Sequence, residues 1–369
     1  MMTRVSLLVA LLPALLSGPA ACSKFGASDD TTPDAGVGAD AATAETSAPA
    51  QPHRIYVYGG VSVPGGSAIT TAYASTLTSN GDFGPWELVP GLGDPRSAAA
   101  WVQNGNALTV ASGIVPGTMV SADGARGALP DASGAPAKAW VKTASMMTAR
   151  RYASALARGT SVYVSGGTNG TATLGNVELY DTVHDTWSPA GSLAASVSGH
   201  ATFLRDSMMY VVGGDQGAAG GLTKSVKRAG FADGDGSLLA AEGAGDLKAP
   251  VARHSIALIE PWLFVIGGDG TGGTAVATVA RGTFDAAGML SWELIAPLAV
   301  PDTQAGLAEA CTVVIDHTIY VMGGRDRAAA AATKAAYVGR VDGQGVITWT
   351  PSPISLPEGR SAFGCAVGP

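Results

Sequence analysis

The chain has 369 residues, a formal net charge of -7, only 14% charged residues and 51 glycines. That much glycine disfavours a mostly helical protein, because glycine is costly inside helices, and it implies many turns. Lysine and arginine never gather into a run, which argues against a surface built to track nucleic-acid phosphates.

Residues 1–21 read as an export signal: Arg4 gives a positive start, Val5 to Leu16 is apolar, and Ser17 to Ala21 are small or turn-forming. The apolar stretch is shorter than the roughly 20 residues a spanning helix needs. Its end, "PAAC", resembles a bacterial lipoprotein signal, which implies that Cys22 carries an acyl lipid such as palmitate. Pro19 stands where such signals favour leucine, so plain cleavage after Ala20 is the alternative. Residues 22–52 are Ala, Asp, Thr, Ser, Gly and Pro with almost no large apolar side chain, a composition that cannot offset the entropy of ordering. They are expected to form a disordered tether between a lipid anchor and residues 53–369. Together these segments imply an exported protein. Ser23 after the cysteine points to an outer-membrane lipoprotein, and cleavage at Ala20 would leave a periplasmic or secreted one.

After the tether, "IYVYGG" ends at Gly60 and returns as "VYVSGG" at Gly167, "MYVVGG" at Gly214, "LFVIGG" at Gly268 and "IYVMGG" at Gly324, with a degenerate "TVASG" at Gly113. The steps between markers are 53, 54, 47, 54 and 56 residues. A tryptophan follows most markers at about half a period: Trp86, Trp140, Trp187, Trp292 and Trp349, with Leu238 or Leu239 in the fourth repeat. An arginine and an apolar strand precede most of them, at Arg96, Arg151, Arg253 and Arg360.

This order of arginine, apolar strand, turn, "YVxGG", and a second pair of strands closing on tryptophan is similar to the kelch family pattern, and "YDTVHDTW" of the third repeat is the closest match. The resemblance covers Pro52 to Pro369 and implies an all-β, six-bladed kelch-type β-propeller. Paired glycines at a strand end allow positive φ and close approach, and the tryptophans supply apolar area between blades. The first marker lacks its own arginine-led strand, because Gln51 to Arg54 leaves no room. "RSAFGCAVG", Arg360 to Gly368, is therefore expected to cross over and become the innermost strand of the first blade. A ring closed in this way has no open edge and fits a monomer.

Repeated residues are architectural, so a site should be made of exceptions. His200 and His254 fall at matching inner-strand places, thirteen residues before the first glycine of their pairs, and packing accounts for both. No metal-ligand spacing, serine-nucleophile elbow, zinc-protease helix or P-loop occurs, so no metal, cofactor or catalytic residue is assigned. "DGDG" at Asp233 to Gly236 reads as a hairpin turn rather than the start of a calcium loop. The ligand candidates are Arg96, Arg151, Arg253, Arg360 and His254 near one channel mouth, with Glu309 taken as the counterpart of the arginines in its blade. Two readings stand for the arginines: bonds to carbonyls within the fold, or a funnel for an anionic or hydroxyl-rich ligand.

The function expected is an envelope-anchored binding or scaffolding module for a protein or glycan, without nucleic acid. The alternatives are a carbohydrate-active enzyme of the sialic-acid mutarotase kind, for which kelch propellers give a precedent, and a purely structural surface protein. Whether any catalysis occurs is left open, with a non-enzyme favoured. Aligning "EACTVV" with "SAFGCAV" sets Cys311 against Ala362 and Cys365 three residues further along. At about 3.3 Å per residue that offset exceeds disulfide reach, so two buried free thiols are expected.

Overall fold

Each glycine pair, and Ser112-Gly113 in the degenerate repeat, ends the second strand of a four-stranded antiparallel sheet, and the described residues form six such sheets. The structure is a computed structural model and describes residues 53–369 apart from 64, 117–119, 131–137, 302–303 and 327–330. The expected leader, Cys22 and the tether lie outside the described residues. Numbering the sheets as blades in chain order, the innermost strands of blades 2 to 6 are Ala100–Asn104, Ser154–Arg158, Ala201–Arg205, Ser255–Ile259 and Cys311–Ile315. Blade 1 takes its innermost strand from the far end of the sequence. Gly364–Gly368 pairs with Arg54–Tyr58, from Arg54 opposite Gly368 to Tyr58 opposite Gly364, as the missing arginine-led strand predicts.

The second strands are mostly apolar because each blade is covered on both faces. Successive side chains of a strand point to opposite faces. Ile55 and Val57 pack with Tyr320 and Met322 of blade 6, whereas Tyr56 and Tyr58 pack with Leu108 of blade 2. The glycine pair then turns the chain where no side chain fits. Gly59 and Gly60 have φ of 66° and 91°, and a Cβ on Gly59 would lie 2.6 Å from the carbonyl oxygen of Arg96.

The tyrosine of "YVxGG" ties neighbouring blades together. Tyr163, Tyr210 and Tyr320 donate their hydroxyls to the carbonyls of Gly236, Gly288 and Gly81, at 2.9, 2.9 and 2.8 Å, each in the outer turn of the next blade. Trp187 and Trp292 donate backward, to the carbonyls of Ala144 and Gly245 in the preceding blade. Blade 3 is pinned on both faces in this way, by Tyr163 and Trp187, each ring capping one carbonyl of a neighbouring blade.

Cys311 and Cys365 form a disulfide with their Cα atoms 6.1 Å apart, which corrects the expected pair of free thiols. The error is one of register. Glu309 and Ala362 are the two left-handed residues at matching places in their blades, with φ of 57° and 53°. Cys311 therefore corresponds to Gly364, and Cys365 is one residue along, not three. The bond joins the innermost strand of blade 6 to the strand that completes blade 1.

Opening this bond, by reductant or by replacing both cysteines with alanine, releases a cross-link between residues 54 apart in sequence. The loop-closure argument puts the expected loss at about 4 kcal/mol. Denaturant titration with and without reductant measures it, and coincident midpoints would contradict a stabilising clasp.

Candidate functional site

The innermost strands begin around a closed ring of peptide hydrogen bonds. One residue per blade adopts a left-handed conformation: Ala98, Tyr152, Gly199, Arg253, Glu309 and Ala362, with φ between 49° and 58°. Each donates its N–H to the carbonyl of the ring residue one blade back, at 2.6 to 3.0 Å, and Ala98 closes the circle on Ala362. The backbone of the ring is uniform while its side chains are not. Blades 1, 2 and 4 present alanine or glycine, and the other three present Tyr152, Arg253 and Glu309.

The sequence-derived arginines separate into three places around this ring. Arg96 and Arg360 lie two residues before their ring residues and are 2% and 0% exposed. Arg96 donates to the carbonyls of Ser112 and Asp123 at 2.9 and 2.8 Å, and Arg360 to those of Gly59 and Thr71 at 3.1 and 3.2 Å. Arg150, which the sequence reading passed over for its neighbour Arg151, holds the same place in blade 3, bonded to the carbonyls of Gly166 and Asn176 and paired with Glu178. These three guanidinium groups brace the glycine turn from within the blade, and burial pushes their pKa values down. Arg151 occupies the next place, where its backbone bridges Thr168 and its guanidinium lies 6.0 Å from the Tyr152 ring.

Only Arg253 and Glu309 among the sequence candidates are ring residues, and both meet partners that the sequence reading missed. Asp269 and Arg325 each follow directly on a glycine pair, a place held elsewhere by Val61, Ile114, Thr168 and Asp215. Arg253 donates from Nε to Asp269 Oδ2 at 2.6 Å. Arg325 grips Glu309 with a two-pronged fork, Nε to Oε2 at 2.9 Å and Nη2 to Oε1 at 3.0 Å, and its Nη2 stands 3.4 Å from Asp269. Paired forks of this kind hold both groups in one plane. Aligning the six repeats on the residue after each glycine pair would have singled out Asp269 and Arg325 in the sequence.

Tyr152 enters from blade 3, directly across the ring from Glu309. Burial, with the nearby Glu309 carboxylate second, pushes its phenol up to about 12, so it stays a neutral donor. The Arg253 guanidinium lies 5.6 Å from the centre of its ring. Tyr152, Arg253 and Glu309 together bound a cavity of about 130 Å³ at the channel mouth, with Ala98, Gly199 and Ala362 among the other residues of its wall. Among the described hydrogen bonds Arg253 uses only Nε, so its terminal nitrogens remain for a further acceptor. Asp269 Oδ1 is buried without a partner.

His200 and His254 sit one place past the ring, as their matching positions imply, and both are buried against glycine turns of neighbouring strands. Among the described residues no three His, Cys, Asp or Glu side chains gather as they would around a metal ion.

The geometry defines a six-bladed β-propeller with a polar mouth on one side of its channel. A model of the Kelch motif matches residues 149–194, the segment that forms blade 3. Kelch-like protein 25 of Xenopus laevis is 36% identical over 87 residues, 23% of this chain and 14% of that protein, and human Kelch-like protein 6 is 43% identical over 56 residues, 15% and 9%. The similarity thus spans a small part of these relatives' length. Among solved structures, one titled "Structure of YjhT" superposes with a TM-score of 0.57 at 15% identity, covering 73% of this chain and 88% of its own. The chain is a kelch-repeat β-propeller.

Burial holds the imidazoles well below their ordinary value, His200 at about 3 and His254 at about 4. Neutral in the folded protein, they would protonate in the unfolded chain below about pH 6.5. Their share of stability is therefore complete above that pH and is lost as pH falls toward 4. His254→Leu should flatten the decline between about pH 6 and 4.5 by about 1.4 kcal/mol per unit. Denaturant unfolding at several pH values reads this, and parallel curves for wild type and variant would show that His254 titrates normally.

Proposed function

We propose that the protein is an exported binding module that holds a carboxylate-bearing side chain of a protein partner in the mouth of its channel. One observation carries this reading: the Arg253, Asp269, Glu309 and Arg325 cluster with Tyr152, the place where a uniform ring departs from small side chains. Charges within the cluster balance, but its hydrogen-bonding does not. Each carboxylate already accepts from an arginine, whereas Arg253 keeps its terminal donors. A cavity of about 130 Å³ equals about four water volumes, room for the tip of one acidic side chain. Bidentate donors favour carboxylate over its neutral amide.

Export is supported by the leader and by the Cys311–Cys365 bond, since disulfides persist in oxidising compartments outside the cytosol. Anchoring at the envelope through Cys22 completes the reading, with residues 23–52 holding the propeller away from the membrane. Changing Cys22→Ala should move the protein from the membrane fraction to the soluble fraction, and unchanged fractionation would remove the anchor from the proposal.

An array of turn peptides tipped with Asp or Glu, beside their Asn and Gln counterparts, tests the mouth. Binding should favour the acids, and Arg253→Ala should weaken it by about tenfold or more, as expected for a lost charge-assisted bond. Equal binding of acids and amides, or indifference to Arg253→Ala, would refute the assignment.

A further inference from the structure

Five of the six glycine markers are preceded, four residues before the second glycine, by an aromatic ring: Tyr56, Tyr163, Tyr210, Phe264 and Tyr320. Blade 2 has Thr109 there instead. Side chains at this place point toward the following blade, where the tyrosines of blades 3, 4 and 6 fill the seam and land on the carbonyl of a left-handed turn residue: Gly236, Gly288 or Gly81. Thr109 is too short to cross. The rest of the blade 2 side of this seam is small as well, with Ala100 and Ala111 opposing Val162, Val164 and Tyr180 of blade 3.

Next to it, between blades 2 and 3, lies a cavity of about 500 Å³ lined among others by Ala107, two residues before Thr109 on the same strand, and by Arg126, Val141, Lys142, Tyr180 and Asp185. Its volume falls within the range of about 300–1,000 Å³ found for small-molecule sites. Its polar groups are already oriented. Arg126, directly opposite Thr109 in the sheet, donates from Nη1 to the Thr182 carbonyl at 2.8 Å. In the same manner Arg340 of blade 6 donates to the Asn80 carbonyl at 3.0 Å, beside the Gly81 carbonyl that takes the Tyr320 hydroxyl. The arginine half of the arrangement is therefore present in the blade 2 seam, and the phenol half is missing. The left-handed residue of the facing turn is Asp185, with φ of 53°, three residues past Thr182 and on the cavity wall. Its carboxylate is fixed by the Tyr180 hydroxyl at 2.7 Å and the Ala144 N–H at 2.9 Å. The Tyr180 ring, stacked on Trp187 with centroids 5.0 Å apart, supplies an aromatic wall.

We propose that this seam is a binding site for a small phenolic ligand, whose ring takes the space beside Ala107 and Arg126, where blade 2 lacks the repeat's aromatic ring, and whose hydroxyl donates to the turn at Asp185. Van der Waals contact with Val141 and the Tyr180 ring supplies the apolar part of the binding, and the guanidinium of Arg126 forms the polar edge. The site is independent of the channel mouth. It lies at the outer part of a seam, and none of its lining residues borders the cavity around Arg253.

Titration of the full-length protein with 4-hydroxyphenylacetamide, followed by the fluorescence of Trp187 and by calorimetry, tests the proposal. Saturable binding is expected, with phenylacetamide, which lacks the hydroxyl, about tenfold weaker. Thr109→Tyr restores the repeat's own ring and should abolish binding. Because that substitution loads a buried position, Ala107→Trp at the partly exposed rim is the second variant, plugging the entrance without touching the inner face. It should also abolish binding. No saturable binding to the wild type, equal affinity for the two amides, or unchanged binding in a folded Thr109→Tyr or Ala107→Trp protein would each overturn the assignment.

Discussion

The ring of six peptide hydrogen bonds at the start of the innermost strands sets the geometry of everything outside it. Each bond fixes the distance from one blade to the next at the axis, and the circle closes only when six strands arrive at the same height. To donate sideways while still entering the sheet, the residue must turn left-handed. For a residue with a Cβ that conformation costs roughly 1–2 kcal/mol. Five non-glycine residues accept it because the surrounding hydrogen bonds leave no alternative. Since the ring is made of backbone, its side chains are free to differ. That freedom lets one propeller carry alanine or glycine at three of these places and Tyr152, Arg253 and Glu309 at the others, without altering its blades.

Outward from the ring the same economy recurs. The buried arginines at 96, 150 and 360 fill positions that Val197, Val251 and Leu307 hold in the other blades. A guanidinium there must satisfy itself on carbonyls of its own blade, because a buried charge without partners is untenable. The tyrosine hydroxyls and tryptophan N–H groups do for the seams what these arginines do for the turns. Burying a large ring while capping one carbonyl makes adjacent blades adhere without a shared sheet, and the blade whose strand carries Thr109 at this place borders the cavity between blades 2 and 3.

Much of this architecture is legible in the sequence because it is periodic. The glycine pairs, the tryptophans and the missing first strand gave the blade count and the closure between Arg54–Tyr58 and Gly364–Gly368. The candidate site was legible only in part, and the reason is local. At the bend before each innermost strand, three consecutive residues face the blade interior, the rim and the channel in turn. Arginines at 96, 151 and 253 look equivalent as letters yet fall on all three. Choosing Arg151 over Arg150, and matching Glu309 to Arg360 instead of Ala362, shifted the alignment by up to two residues. The same shift moved Cys365 out of apparent reach of Cys311. Asp269 and Arg325 were hidden differently: they follow the glycine pair, so they read as turn residues, and only the ring brings them against Arg253 and Glu309.

The strand Gly364–Gly368 belongs to the blade that contains Arg54–Tyr58, so of the six blades the first to begin synthesis is also the last to be completed. Until residue 368 has emerged, the second strand of blade 1 has an unpaired edge and the ring of peptide bonds has a gap. Blades 2 to 6 can each assemble as their own hairpins appear, but the circle is an all-or-none event at the end. The disulfide to Cys311 then records that event in covalent form, since its two cysteines are brought together by the closure itself. A chain that has acquired this bond carries a mark of having been read through to the strand that closes the ring.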